Sequence, residues 1–344
     1  MLTRIELSNL GPIAALDWQL GPGINVIIGE NDTGKTLLLK MLYACVRSAE
    51  AYRRGDDART VRQILDDKLT WTFQLPTLGD LVSKAQDDPL NVRLRGRVEA
   101  SDLEMDFQFT RKAKKGVGEL TTNVPPIKST SLFIPAKEVL SLIAAIKESR
   151  QAQKFGFDDP TYDLVLALER APSRGTPPFG DARGKIEELI SGRVIEKEGV
   201  WTFQRGNHHY PVAITAEGVK KIAIIDRLIV NRSLTGSSVL FVDEPESFLH
   251  PSALVRFLDI LHALSKSGLQ VVLATHSLTA MRKIVALSRG SDTPVPLLSL
   301  QRDQAPECFD LVQGMPPNAL SRASVALYEE ELGISPSSDI AIGD

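Results

Sequence analysis

The amino-acid sequence predicts an α/β protein with a phosphate-binding loop (P-loop) at its centre. Three observations predict it. An apolar strand, a glycine-containing loop and an apolar helix follow one another at 24–46, an apolar strand at 239–242 ends in two acids, and a further apolar strand within 268–277 ends in Thr-His-Ser. Continuously apolar strands separated by helices are typical of a parallel sheet that is covered on both faces. A chain of 344 residues is long enough to bury such a core.

The loop between the first strand and its helix reads GENDTGKT (29–36) and matches the pattern G-x-x-x-x-G-K-[ST]. Glycines let backbone N–H groups turn inward, and these groups form an anion site together with the start of the next helix. Lys35 is predicted to reach the β- and γ-phosphates of a nucleotide, and the Thr36 hydroxyl to ligate Mg²⁺. An ordinary surface turn is disfavoured by the strand and helix on either side. The predicted nucleotide-binding residues of the loop are Gly29, Asn31, Asp32, Thr33, Gly34, Lys35, Thr36 and Leu37.

The second motif, SVLFVDEPESFLHP (238–251), places two acids directly after an apolar strand. At the carboxyl end of a parallel strand, Asp243 is expected to hold Mg²⁺ through its water shell, and Glu244 to polarise the attacking water as general base. The two acids could instead cap the following helix, and the motif alone does not decide between these roles. The phosphate loop upstream favours the catalytic role.

The third motif, GLQVVLATHS (268–277), is another buried strand that delivers Thr275, His276 and Ser277 at its end. A lone histidine is more often structural than functional. Because His276 ends the strand that follows the acidic strand in chain order, we expect its imidazole to hydrogen-bond the γ-phosphate or the attacking water. The predicted catalytic residues are therefore Glu244, His276 and Lys35.

Together the three motifs resemble those of the ATP-binding-cassette (ABC) ATPases, and within them the SMC-like group that includes the OLD-family and RecF-type proteins. DEPESFLHP and LATHS are close to the usual motif sequences of that group and unlike the motifs of small GTPases or kinases. IPAKEVLS, YDLV and EGVKK resemble a widespread branch of these ATPases, so the resemblance covers nearly the whole chain. It implies ATP and Mg²⁺ as cofactors and a homodimer that sandwiches ATP, with PESFLHP reaching across the interface.

Proteins of this group carry a signature element, usually Ser-x-Gly, that caps the nucleotide held by the other subunit. TAEGVKKIAIIDRLI (215–229) occupies that position here, and Ala216, Glu217 and Gly218 are implied to contact the partner's ATP. Ala216 lacks the signature hydroxyl, which removes one contact to the γ-phosphate, but the N–H groups at the helix start remain available. A second departure is Asp32, where glycine is more common. Aspartate tolerates left-handed backbone, so we expect the loop to close normally.

The full prediction is a P-loop ABC-type ATPase with an N-terminal antiparallel β subdomain, a helical insertion and no long coiled coil, since no sustained heptads are present. We expect one domain formed by 1–60 and 213–344, with an inserted lobe of strands and helices at about 61–212. Alternation at period two predicts a hairpin at 91–112, and short apolar runs predict two or three strands at 193–214.

One segment of the insertion carries a further candidate ligand. Residues 46–68 look helical, and LTWTFQLPTLGDLV (69–82) is expected to begin as a strand. The related ATPases carry a glutamine that faces the γ-phosphate on a strand-to-helix loop, and Gln74 is the candidate for it. A solvent-facing strand residue is an equally good interpretation. The predicted metal-site residues are therefore Thr36, Asp243 and Gln74.

Composition limits the remaining possibilities. The net charge of −3 does not suggest a protein that coats nucleic acid, although a local basic patch would still allow DNA binding. Cys45 and Cys308 are the only cysteines and form no metal-ligand spacing, which fits a reducing compartment. No segment approaches the ~20 apolar residues of a membrane span, so we expect a cytoplasmic protein that does not associate with a membrane.

Three functions from different classes fit these observations. The first is a regulatory ATPase whose nucleotide-dependent dimer controls a separate effector protein, a nuclease or toxin, in defence against phage. The second is a DNA-repair ATPase of the RecF type that binds DNA. The third is the nucleotide-binding subunit of a transporter, which the incomplete signature disfavours.

The regulatory ATPase is the preferred interpretation. Only 68 residues follow His276, too few for a catalytic Toprim nuclease domain in addition to the last core elements. We therefore expect the effector to be a different protein. Its candidate docking surfaces are the insertion at 69–212 and the C-terminal helix near Tyr328, because the core is committed to ATP and dimerisation.

Overall fold

The computed structural model describes residues 1–85, 87–173, 178–197 and 200–332. Its strands are β1 (Leu2–Leu10), β2 (Ile13–Gln19), β3 (Ile24–Gly29), β4 (Leu90–Val98), β5 (Ser101–Phe109), β6 (Leu120–Asn123), β7 (Leu132–Ile134), β8 (Arg193–Lys197), β9 (Val200–Arg205), β10 (His208–Pro211), β11 (Val239–Asp243), β12 (Gln270–Thr275), β13 (Pro296–Leu300) and β14 (Glu307–Asp310). Its helices are α1 (Lys35–Ala51), α2 (Val61–Phe73), α3 (Ile143–Gln151), α4 (Asp159–Leu168), α5 (Gly180–Ile190), α6 (Glu217–Val230), α7 (Pro251–Lys266), α8 (Leu278–Ser288) and α9 (Ala319–Glu331).

A six-stranded sheet forms the centre of the molecule. Its strand order is β14-β13-β3-β12-β11-β7, and all neighbours are parallel except β14, which pairs antiparallel with β13. Parallel strands end at the same edge, so the loops that follow β3, β12 and β11 meet there. The predicted α/β fold is confirmed, and the three predicted motif strands are neighbours in this sheet.

The central sheet is buried on both faces. Along β11, Leu240 and Val242 point into one hydrophobic core, whereas Phe241 points into the other. The first core is covered mainly by α4, α5, α6, α7 and α8, and the second lies between the sheet, α1 and the N-terminal strands. Burial on both faces explains why these strands read as continuous apolar runs in the sequence.

A second sheet, in the order β2-β1-β4-β5-β6, is antiparallel throughout. Buried and exposed side chains alternate along its strands: Val92 and Leu94 of β4 are buried, whereas Arg93 is exposed. The Arg93 Nε lies 2.7 Å from an Asp106 carboxylate oxygen on β5. One face therefore packs on the core and the other meets solvent. The hairpin expected at 91–112 is present as β4 and β5.

The sheets do not follow the predicted division into a core and an inserted lobe at 61–212. Strands β4, β5 and β6 extend the sheet that β1 begins, and β7 is the edge strand of the central sheet beside β11. The sequence predicts two or three short strands at 193–214, and β8, β9 and β10 form a small antiparallel sheet there in the order β10-β9-β8. Sheet pairing thus joins part of the predicted insertion directly to the core.

The strand expected to begin at residue 69 is wrong. Helix α2 continues to Phe73, and Thr60 caps it at the other end in a capping box with Gln63. The buried residues Leu65, Leu69 and Thr72 recur at helical spacing, which packs one face of α2 and outweighs the β-branched and aromatic residues at 70–73.

Helix α1 is tied to its neighbours by a partly buried ionic cluster. The Asp163 carboxylate on α4 accepts hydrogen bonds from the Tyr43 hydroxyl at 2.7 Å, from Arg47 at 3.2 Å and from Lys68 of α2 at 2.8 Å. Burial alone would raise the pKa of Asp163, but Lys68 and Arg47 outweigh it and hold that pKa well below its usual range. The cluster fixes α1, and hence the loop before it, relative to α2 and α4.

The described helices are short. The longest, α1, has 17 residues. Within the part of the chain that the structure describes, no long coiled coil leaves the domain, as predicted, and no helix combines the length and apolarity needed to cross a bilayer.

Candidate nucleotide-binding site

The phosphate loop lies at the carboxyl edge of the central sheet, between β3 and α1, as predicted. Gly34 has φ 92°, and Asp32 has φ 67°, so both use left-handed backbone to turn the loop. A side chain on Gly29 would place its Cβ 2.3 Å from the Leu300 carbonyl oxygen, which leaves room only for glycine. The loop therefore closes normally with aspartate at position 32.

The side chains of Lys35 and Thr36 project from the start of α1. Lys35 is buried, and its Nζ donates a hydrogen bond to the Glu30 carbonyl oxygen at 2.6 Å, across the loop. Burial lowers the pKa of the Lys35 ammonium, and nearby carboxylates, Glu244 first, oppose that fall. The Thr36 Oγ1 lies 3.0 Å from both carboxylate oxygens of Asp243. The structure thus brings together the Thr and Asp that the sequence predicted to share a metal ion.

Asp243 ends β11 in a poorly solvated position. Burial raises the pKa of its carboxyl to about 6, the negative charge of Glu244 adds to this, and the hydrogen bond from Thr36 opposes it. A carboxylate that is buried beside another acid favours either a proton or a cation. This is the electrostatic setting that suits a divalent metal ion held by oxygen ligands.

Glu244 and His276 also meet at this edge. Glu244 has φ 45°, and its carboxylate accepts a hydrogen bond from the Ser247 hydroxyl at 2.9 Å. The Nδ1 of His276 lies 3.5 Å from Glu244 Oε1 and 3.3 Å from Glu246 Oε1. Both predicted catalytic side chains are partly exposed at the mouth of the site, where they can reach a water molecule.

Sequence reasoning missed Glu246 and Lys221. The Glu246 carboxylate accepts hydrogen bonds from the Thr275 hydroxyl at 2.8 Å and from the His276 N–H at 2.9 Å, so it joins the loop after β11 to the loop after β12. Lys221 donates a hydrogen bond to the Glu244 carbonyl oxygen at 2.6 Å. The spacing Glu-Pro-Glu and the segment EGVKK carried the only signals that could have found them.

The predicted signature residues open helix α6. Ala216 is the N-cap and makes no side-chain capping hydrogen bond, and Glu217 accepts a hydrogen bond from Lys220 Nζ at 3.1 Å. A Cβ on Gly218 would lie 2.8 Å from the Phe248 carbonyl oxygen and 2.8 Å from Leu249 Cδ2. Gly218 is therefore needed for close packing against the loop after the acidic strand of its own chain.

Gln74 lies on the C-cap of α2, not on a strand-to-helix loop. Its backbone is left-handed at φ 54° and its N–H donates to the Thr70 carbonyl oxygen. In the described part of the chain, the Gln74 side chain makes no hydrogen bond to Thr36 or Asp243. Its role as a metal-site residue stays a prediction.

Comparison with known proteins identifies a family and several partial relatives. Residues 24–282 match the family described as "AAA domain, putative AbiEii toxin, Type IV TA system". A segment of 47 residues is 45% identical to the Old nuclease of Escherichia phage P2 and covers 14% of this chain and 8% of that protein. A segment of 99 residues is 28% identical to the DNA replication and repair protein RecF of Aliivibrio fischeri and covers 28% of this chain and 27% of RecF. The matched segments thus span only a minor part of either relative.

Two solved structures share the fold at low sequence identity. An Smc head bound to the C-terminal winged-helix domain of ScpA aligns with a TM-score of 0.54 at 11% identity, over 91% of this chain and 99% of that chain. The Smc head domain of Pyrococcus furiosus with an extended coiled coil aligns with a TM-score of 0.50 at 12% identity, over 96% of this chain and 99% of that chain. These alignments concern the fold alone, and they confirm the predicted fold class.

Proposed function

The chain belongs to this family of AAA domains and is an SMC-like, OLD-type ABC ATPase, and on that premise we propose that it binds ATP with Mg²⁺ and hydrolyses it to ADP and phosphate. The observation that carries the proposal is the meeting of four side chains at one sheet edge, although they follow three separate strands: Thr36 opens α1 after β3, Asp243 and Glu244 end and follow β11, and His276 follows β12. The edge thus gathers a phosphate cradle, two oxygen ligands and a candidate base.

The residues at this edge fit both cofactors. The Thr36 hydroxyl and the Asp243 carboxylate are hard oxygen donors of the kind that Mg²⁺ prefers, and burial raises the pKa of Asp243 despite the nearby lysines Lys40 and Lys221. Thr36 and Asp243 would hold Mg²⁺, and the ion would supply positive charge that offsets the charge of the phosphates. The N–H groups of the loop and of the α1 start hold the phosphates. When ATP binds, the Lys35 ammonium donates to a phosphate oxygen in place of the Glu30 carbonyl oxygen.

Glu244 and His276 act on the attacking water. The Glu244 carboxylate accepts the proton of the water that attacks the γ-phosphate, a role that contributes typically 10²–10⁴-fold in rate. His276 hydrogen-bonds the water or the γ-phosphate, and Glu246 orients its backbone by accepting the His276 N–H. Lys35 contributes as a fixed positive charge beside the transferred phosphoryl group.

A phosphate-release assay tests this proposal. The purified chain should release phosphate from ATP when Mg²⁺ is present and not when it is chelated. Lys35→Ala should be inactive, and Lys112→Ala, in an exposed basic loop, should match the wild type. Equal phosphate release by wild type and Lys35→Ala would assign the activity to a contaminant and contradict the proposal.

A homodimer with ATP at its interface completes the site. Ala216 at the start of α6 is exposed, and the neighbouring apolar side chains of Ile214 and Phe248 are 74% and 63% exposed. Exposed apolar residues beside a helix N-terminus suit a surface that binds a partner's phosphate and packs on its protein. Light scattering should therefore detect a dimer that depends on ATP and accumulates when hydrolysis is blocked.

The dimer controls a separate effector, a nuclease or toxin, in defence against phage. Helix α9 supports an effector site because it buries no side chain of its own, while Val325, Tyr328 and Leu332 lie exposed at helical spacing. Co-expression with the neighbouring genes, followed by pull-down with wild type and Glu244→Gln, should recover a partner that prefers one nucleotide state. Val325→Ser with Tyr328→Ser should abolish that recovery without changing ATP turnover.

The second candidate function is a RecF-type ATPase that acts on DNA. The observation in its favour is the sequence similarity to RecF from two bacteria, at 28% and 33% identity over about 100 residues each. Fluorescence anisotropy with duplex DNA separates the candidates: tight binding that weakens steeply with salt, and no effector in either pull-down, would favour the DNA-binding function.

A further inference from the structure

Lys221 is a buried lysine beside the acidic strand, and none of the three sequence motifs includes it. It lies in the second turn of α6 and is 6% exposed. Its Nζ donates a hydrogen bond to the backbone carbonyl oxygen of Glu244 at 2.6 Å. Burying an unpaired ammonium group costs free energy, so this hydrogen bond is what allows Lys221 to be buried here.

Three carboxylates lie near enough to the Lys221 ammonium to influence its pKa. Burial lowers the pKa of Lys221 to about 8, and Glu246, Asp243 and Glu244 oppose that fall, in this order. The ammonium supplies positive charge to a cluster of acids at the end of β11. A neutral side chain at this position would leave that cluster with less compensation.

The contact falls on a residue of the site whose backbone is left-handed. Glu244 has φ 45°, a left-handed conformation that a non-glycine residue keeps only when its surroundings enforce it. Its N–H donates to the Ala274 carbonyl oxygen at 2.9 Å, and its own carbonyl oxygen accepts from the Ser247 N–H at 3.0 Å as well as from Lys221. Lys221 is therefore the contact from outside the strand loops that holds this turn.

We propose that Lys221 is a positioning residue for ATP hydrolysis, which fixes the backbone turn at Glu244 and thereby ties the catalytic carboxylate to the helix that begins with Ala216–Gly218. The inference rests on the proposed ATPase function. When the start of α6 contacts the partner's nucleotide, the hydrogen bond from Lys221 transmits that contact to Glu244 of the same chain. In each subunit, Lys221 thus connects that subunit's own base, Glu244, to the helix start that contacts the nucleotide bound by the partner.

Lys221→Met tests the inference because it removes the donor and keeps the unbranched apolar stem. We expect kcat to fall about 10- to 100-fold, as for a misplaced catalytic group, while the dissociation constant of ATP stays within about threefold. Arg227→Met is the matched control. Arg227 is a buried basic residue of the same helix that also donates to backbone carbonyl oxygens, but these belong to Leu168 and Arg170, so the kcat of this variant should stay within about threefold of wild type.

A double variant separates positioning from a general structural effect. If Lys221 acts through Glu244, adding Lys221→Met to Glu244→Gln should not slow the residual single-turnover hydrolysis any further. An additive loss, or a wild-type kcat for Lys221→Met, overturns the inference. If Lys221→Met does not fold, Lys221→Gln, which falls short of the Glu244 carbonyl, should show the same fall in kcat. A wild type without ATP turnover would refute the ATPase function itself, and this inference with it.

Discussion

The Thr36 hydroxyl lies 3.0 Å from both carboxylate oxygens of Asp243, although 207 positions separate the two residues. Only one strand, β12, lies between β3 and β11 in the parallel sheet, so both residues stand at the same edge. The burial of three apolar strands therefore brings a hydroxyl and a carboxylate together although they are far apart in the sequence.

Binding of ATP in the presence of Mg²⁺ should weaken as the pH falls through about 6. Burial raises the pKa of Asp243 to about 6, and the nearby Glu244 adds to this. Since a carboxylate must be deprotonated to bind a metal ion, protons compete with Mg²⁺ below that pH, and affinity should fall by up to about tenfold per pH unit. Calorimetry between about pH 5 and 8 checks this.

Asp243→Asn and a series without Mg²⁺ are the controls for that titration. Both lack the competition between Mg²⁺ and the Asp243 proton, so both report only the titration of ATP itself. A wild-type profile parallel to these two would show that Asp243 takes no part in metal binding.

Lys35→Ala should lose ATP binding. The substitution removes a charge-assisted contact worth about 1.5–3 kcal/mol, which corresponds to roughly 10- to 150-fold in affinity. Because Lys35 is buried beside the Glu30 carbonyl, circular dichroism should be recorded to confirm that the variant is folded. Normal ATP affinity in the folded variant, measured by calorimetry, would refute the role of Lys35.

Ala216→Glu should block ATP-promoted dimerisation and hydrolysis while leaving ATP binding intact. Ala216 is an exposed N-cap, so a carboxylate there is compatible with the helix, but it would oppose the partner's γ-phosphate. Ala216 is a better test site than Gly218, where any Cβ meets the Phe248 carbonyl of the same chain. Light scattering and phosphate release measure the two effects.

Ala216→Ser is the matched control for that substitution. A serine at the N-cap should stabilise α6 by roughly 1 kcal/mol and should keep hydrolysis at or above the wild-type rate. Hydrolysis and dimerisation that survive in Ala216→Glu would show that residues 216–218 do not act across a subunit interface.

Asp163→Ala should lower the free energy of unfolding by about 1–3 kcal/mol, because Lys68 and Arg47 lose a partly buried carboxylate partner. Lys68 keeps Asp159 as a partner, and Arg47 keeps Glu50. Asp102→Ala removes an exposed partner of Arg97 and should cost at most about 1 kcal/mol. Urea denaturation near neutral pH measures both. Equal losses in the two variants would contradict the structural role of the ionic cluster.

The same cluster sets an acid dependence of stability. The pKa of Asp163 is lower in the folded chain than in the unfolded chain, so its contribution is present above the unfolded value and is lost as the pH falls through the folded value. Wild type and Asp163→Ala should therefore converge in stability toward acid pH.

Much of the fold could be predicted because the motifs are local. Strand, loop and helix adjoin one another at 24–51, and the acids and histidine stand directly at strand ends, so chain order alone places Thr36, Asp243 and His276 at one edge. Asp32 was also anticipated, since aspartate accepts the left-handed backbone that it adopts.

The remaining features depend on tertiary packing. Helix α2 runs through a segment whose residues favour strands, because its buried face packs on α1 and α4. The pairing of β4 with β1 and of β7 with β11 joins segments that the sequence separates widely. Lys221 reaches Glu244 from helix α6, and the segment EGVKK that contains it does not by itself reveal this contact.

The most direct test of ATP hydrolysis with Glu244 as the general base is the fate of ATP bound to the Glu244→Gln variant. The substitution keeps the shape of the side chain and removes the base, so the variant should bind radiolabelled ATP as tightly as wild type, retain it unhydrolysed and accumulate as a dimer. Thin-layer analysis of the bound nucleotide after an incubation in which wild type converts its ATP to ADP measures this. Recovery of intact ATP is the predicted result, and conversion to ADP at the wild-type rate would show that Glu244 is not the base.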